Sequence, residues 1–127
     1  MRFLPTALVI AALTSTSALA REATLEGEWR DAYGTTLEIS YCNGDETRLC
    51  AVLRDIQGES RTEANLEYVD EQILQVEMTA DNRWRGTIIF EGTATEGTVT
   101  QVAPDVIEIE GCRLLILCEK LAFERVA

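Results

Sequence analysis

After residue 25 the chain alternates apolar and polar side chains with a period of two, and this leaves few folds open. Leu37, Ile39 and Tyr41 alternate with Thr36, Glu38 and Ser40. Leu49, Ala51 and Leu53 share one face, as do Leu74, Val76 and Met78. Trp84, Gly86, Ile88 and Phe90 alternate with Arg85, Thr87 and Ile89, and Ile107 and Ile109 with Glu108 and Glu110. Eight strands are expected, at Glu26–Arg30, Thr36–Tyr41, Arg48–Asp55, Gln72–Thr79, Trp84–Phe90, Thr93–Gln101, Val106–Gly111 and Leu117–Val126. The threonine-rich sixth segment suits an exposed strand.

Turn signals separate most of these runs. Asn43-Gly44-Asp45 is a hairpin signal, Asp81-Asn82 a turn, and Pro104-Asp105 another. Short connections imply sequential antiparallel pairing. The expected fold is therefore all-β: a small eight-stranded antiparallel up-and-down barrel, because closure removes exposed strand edges. The exception is Ile56–Glu71, a long connector carrying Glu59, Glu63, Glu67, Asp70 and Glu71. It suits a helical turn or a loop, and reads first as a solvated acidic connector.

The first twenty residues do not fit this pattern. Arg2 precedes the apolar run Leu8–Leu13, and Ala18-Leu19-Ala20 is a small-x-small cleavage site. This is a secretory signal peptide, too short in its apolar part to span a bilayer. Cleavage after Ala20 removes 20 of the 127 residues and leaves a single barrel domain of 107, at 21–127. The expected location is periplasmic or secreted, with no membrane span and a monomeric state.

Export bears on the four cysteines, since an oxidising compartment favours disulfides. Cys42, Cys50, Cys112 and Cys118 allow three pairings. The local one is favoured, Cys42 with Cys50 across the Asn-Gly hairpin and Cys112 with Cys118 around Arg113–Leu117. The spacing suits neither a four-cysteine zinc site nor a Cys-x-x-Cys redox pair, so no metal or cofactor is expected.

Charge and composition exclude more than they identify. With 22 acidic and 11 basic residues the formal charge is −11, and loss of Arg2 with the signal peptide takes it to −12. Such a chain repels phosphate backbones, which argues against nucleic acid. The sequence contains no histidine, which removes Ser-His and Cys-His catalytic pairs. Glu108 and Glu110 point the same way but alternate with isoleucines, as an exposed polar face does. Asp45-Glu46 and the acidic connector lack a regular calcium-loop spacing.

Gly27-Glu28-Trp29 in the first strand, with Arg125 near the end of the last, resembles the signature of lipocalin-like (calycin) barrels. There the arginine packs over the indole where the barrel closes. A wider set of residues is similar to the exported bacterial proteins of domain of unknown function 2147 (DUF2147). These are Gly27-x-Trp29, Tyr41-Cys42 with Leu49-Cys50, Trp84-x-Gly86-x-Ile88, Glu110-Gly111 and Arg125. The likeness covers most of residues 25–126. It departs at Ile56-Gln57-Gly58-Glu59-Ser60, where the family usually shows Asp-x-x-Asn-Pro, and at Phe90-Glu91-Gly92, where it shows Tyr-Asp-Pro. The resemblance implies a lipocalin-like barrel and export. It also assigns Gly27, Trp29 and Arg125 to barrel closure.

The expectation is a binding protein and not an enzyme. Tyr41, Trp84 and Phe90, on apolar strand faces, are the candidate ligand-binding residues, although plain core packing is the first reading of such side chains. The expected partner is a small apolar ligand, or a protein at the barrel mouth. The alternative is a periplasmic inhibitor of a hydrolase such as a lysozyme or a protease, the acidic surface steering a basic protein partner.

Overall fold

In the computed structural model, which describes residues 24–90, 92–113 and 117–126, eight strands follow one another around a closed barrel. They are β1 (Gly27–Asp31), β2 (Thr36–Cys42), β3 (Asp45–Asp55), β4 (Gln72–Ala80), β5 (Arg83–Phe90), β6 (Thr93–Ala103), β7 (Val106–Arg113) and β8 (Leu117–Arg125). Every neighbouring pair is antiparallel, β8 back onto β1 included. The signal peptide inferred from residues 1–20 lies outside the described residues.

The alternation explains the core. Trp29, Leu37, Ile39, Leu49, Leu53, Leu74, Val76, Trp84, Ile88, Val99, Ile107 and Phe123 are all buried and form one cluster inside the barrel. The sixth strand is less exposed than its threonines suggest, because Val99 is fully buried. Thr36 also departs from simple alternation. It is buried because the β2–β3 register shifts between Thr36 and Leu37, and its hydroxyl donates to the Gly34 carbonyl.

Turn chemistry fixes the hairpins. Asn43 and Gly44 both adopt left-handed backbone, with φ of 51° and 77°, as a tight two-residue turn requires. The register then shifts between Tyr41 and Cys42, which lets Cys42 reach Cys50. Cys112 lies directly opposite Cys118 in the β7–β8 ladder and is bonded to it. The local pairing is therefore the one present. Each short loop contributes about 2–3 kcal/mol by constraining the unfolded chain.

One row of residues across the strands sets how tightly the barrel coils. It runs Leu49, Val76, Gly86, Gly97, Gly111, Glu119 from β3 to β8. A Cβ on Gly86 would lie 2.4 Å from the Gln75 carbonyl oxygen, so the backbone of β4 occupies that space. A Cβ on Gly97 would overlap Ile88 Cδ1 at 2.0 Å. Ile88 thus packs where a side chain from β6 would otherwise stand.

Closure is made by β1 and β8, where Trp29 pairs with Arg125. The Arg125 guanidinium carbon sits 4.5 Å from the centre of the Trp29 ring, a cation–π contact. Its nitrogens donate to the carbonyls of Thr24 (2.6 Å), Glu26 (3.1 Å) and Pro104 (3.2 Å), and Nε donates to Asp105 Oδ1 (3.1 Å). Trp29 Nε1 donates to the Leu25 carbonyl, and Leu25 plugs this end of the barrel. One planar cation therefore ties the segment before β1, the β6–β7 turn and β8 together. Arg125→Lys is expected to lose about 2–4 kcal/mol of stability, close to Arg125→Met, because an ammonium lacks the flat fork. Urea unfolding of the two variants checks this; a lysine variant as stable as the parent would contradict it.

Candidate functional site

The two ends of the barrel differ. At the end described above, Leu25, Trp29 and Trp84 fill the interior. At the other end the β3–β4 connector crosses the mouth. It contains a 3-10 turn at Gly58–Ser60 and one helical turn, α1, at Glu63–Leu66. A helical turn is present within Ile56–Glu71, and Glu59, Glu63, Glu67, Asp70 and Glu71 are exposed as a solvated acidic connector should have them, while Ile56, Asn65 and Tyr68 line the barrel mouth.

Local chemistry holds this lid. Ile56 is buried and inserts below it. Gln57 N donates to Thr35 Oγ1 (3.0 Å), and Thr35 Oγ1 donates to the Gln57 carbonyl (3.3 Å), which fastens the lid to the start of β2. Gly58 has φ of 77°, and a Cβ there would sit 3.1 Å from Tyr33, so glycine admits the close approach of the β1–β2 turn. Thr62 caps α1 by accepting from Asn65 N (3.1 Å). Behind the lid, Asp70 N donates to the Leu53 carbonyl and Leu53 N to the Glu71 carbonyl. Arg54 pairs with both Glu38 and Asp70, and these two carboxylates raise its pKa above the ordinary guanidinium value.

Beneath the lid lies a cavity of about 140 Å³. Its walls are largely aliphatic and aromatic, with Leu53, Ile56, Ile88, Ile109, Leu121 and Phe123 prominent. Tyr68 closes it from the lid, its hydroxyl 3.4 Å from where a Gly92 Cβ would stand. Polar atoms gather at the rim, where Asp31, Ser60, Asn65 and Glu119 also line the space. Large side chains thus fill the barrel around Trp29, and a small, partly open apolar space remains under the connector. An apolar space of this size resembles engineered cavities of about 150 Å³ that take up benzene.

A second, more open groove lies at the filled end, lined by Tyr41, Trp84, Met78, Glu26, Glu46 and Asp81 among others. Its described lining includes three carboxylates and no basic side chain. Nearby in the β2–β3 hairpin, the Thr47 hydroxyl and amide both donate to Asp45 Oδ1. These bonds hold the Asp45 carboxyl below the usual carboxylate range.

Two of the three candidate ligand-binding residues are brought together. Tyr41 and Trp84 line the groove at the filled end, while Phe90 ends β5 at the lidded end, its side chain outside what is described. Trp84 is buried, and its Nε1 has no acceptor among the described residues. Tyr41 accepts from the Thr24 hydroxyl (3.2 Å) and packs against the core. The cavity instead uses mainly aliphatic residues from β2 to β5, β7 and β8, together with the lid. Alternation marked several of these as inward-facing, but nothing in their spacing separated cavity wall from filled core. Among the described residues no group of three or more Cys, Asp or Glu side chains is arranged to hold a metal ion.

Compared with known proteins, the chain matches no family model, no curated protein and no solved structure.

Proposed function

We propose that this chain is an exported, non-catalytic binding protein that holds a small apolar molecule in the lidded cavity. The observation that carries this reading is the cavity itself, about 140 Å³ of mainly aliphatic wall beneath a covering segment. That volume suits one six-membered ring or a short alkyl chain, and is too small for a long acyl tail. The lack of histidine supports binding without chemistry. Export rests on the signal-like first twenty residues, and membership of DUF2147 on the motifs from Gly27 to Arg125. Titration with toluene and benzyl alcohol, followed by calorimetry, tests the reading. Saturable one-to-one binding is expected for the parent. Loss of about tenfold or more is expected for Leu121→Phe and Ile109→Phe, each of which fills the space with a larger ring. Parent-like affinity in both folded variants would contradict it.

The groove at the opposite end favours a second reading, a hydrolase inhibitor that receives a basic loop of its target. Glu26, Glu46 and Asp81 surround an apolar floor that includes Trp84 and the exposed Met78. Surface binding to a panel of basic lysozymes at low and high salt is the check. A salt-sensitive complex weakened by charge reversal at Glu46 and Asp81 is expected on this reading, and the absence of any complex at low salt would sink it.

A further inference from the structure

The outer face of β4 to β8 carries a charge pattern that alternation alone does not require. At one level across the sheet the ladder runs Glu77, Arg85, Thr98, Glu110, Lys120. At the next it runs Ala80, Arg83, Thr100, Glu108, Ala122. Read backwards, each row is the same with its charges inverted, and a threonine of β6 stands at each centre. The face is also concave. Thr98 and Thr100 form a low floor between Arg83 and Arg85 on β5 and Glu108 and Glu110 on β7. Neighbouring strands lie about 4.8 Å apart, so β6 holds the cationic row about 10 Å from the anionic one. Within the chain Arg85 pairs instead with Glu96, and Lys120 with Glu108 at 3.9 Å. Such exposed pairs contribute little.

A two-fold axis lying along β6 reverses the order of the strands and leaves the levels unchanged. It sets Arg85 of one copy against Glu110 of the other, and Arg83 against Glu108, twice each. The two β6 strands then lie nearly parallel, as aligned sheet packing has them. Val102, at the bulge that ends the β6 ladder, is 51% exposed and would meet its own counterpart near the axis. Glu96 would also meet its counterpart, but each Glu96 is already bonded to its own Arg85. We propose that this face is the interface of an isologous dimer, with a second copy of this chain seated along β6. Such a dimer departs from the monomer expected from the sequence. It depends on neither the lidded cavity nor the groove beside Trp84.

Sedimentation of the disulfide-bonded parent at physiological salt, at concentrations up to about 1 mM, is expected to show a reversible dimer. That salt screens the repulsion between two acidic chains beyond about 8 Å, while contacts across the face persist. Arg83→Glu and Glu108→Arg should each weaken association by about tenfold or more, because each puts like charges opposite one another at two places. Combined in one chain, the two reversals restore the inverted pattern at unchanged net charge, and the double variant should regain the dimer. A parent that stays monomeric would overturn the proposal whatever the variants do. So would a dimer indifferent to either single reversal, or one not regained in the folded double variant.

Discussion

The structure depends first on the contact that joins its two ends. A chain of antiparallel hairpins makes a sheet on its own, but a sheet has edges, and only β1 on β8 turns it into a barrel. That seam is short, with three register pairs from Trp29 to Asp31. Arg125 reinforces it by lying over the Trp29 ring and donating to carbonyls in the segment before β1 and in the β6–β7 turn. The interior that follows, including the difference between its two ends, exists only because this seam holds.

Inside the closed barrel the supply of side-chain volume decides what is solid and what is hollow. Trp29, Trp84 and Leu25 are large enough to fill the end near the seam. Farther along, the row through Gly86, Gly97 and Gly111 contributes almost no side-chain bulk, and it ends on the carboxylate of Glu119. The β4 backbone fills the space beside Gly86 and Ile88 the space beside Gly97. Of this row only Gly111 and Glu119 line the cavity, which lies farther toward the connector. The small residues therefore let strands and side chains approach closely, and the cavity is what the remaining inward side chains leave unfilled.

Much of the architecture was legible in the residues. Period-two alternation placed most of the eight strands, threonine content the sixth, and Asn43-Gly44 the turn between β2 and β3 with the Cys42–Cys50 bond beside it. Trp29 and Arg125 meet as the lipocalin-like signature implies. The site was less legible, for physical reasons. Alternation says which side chains point inward, but not whether the inward volume sums to a filled space. The aromatic residues drew attention because they are large, and large residues fill: Trp84 is core for that reason. The glycines that admit close approach carry no hydrophobic signal. Their alignment across three strands depends on register, which bulges at Tyr41, Ala51, Met78 and Gln101 alter. The connector read as a solvated acidic loop because its charges dominate, although Ile56 and Tyr68 are what seat it over the mouth.

Taken together, the seam, the packed interior and the lid describe a stapled barrel with a small, partly open apolar chamber under the connector. The claim on which the functional account turns is that this chamber accepts an apolar guest. Diffraction from crystals of the protein pressurised with xenon tests that most directly, since xenon enters dry apolar spaces of this size without needing any particular headgroup. The account requires a xenon peak among Leu53, Ile88, Leu121 and Phe123. Xenon absent from that position, or found only in the groove beside Met78 and Trp84, would contradict it.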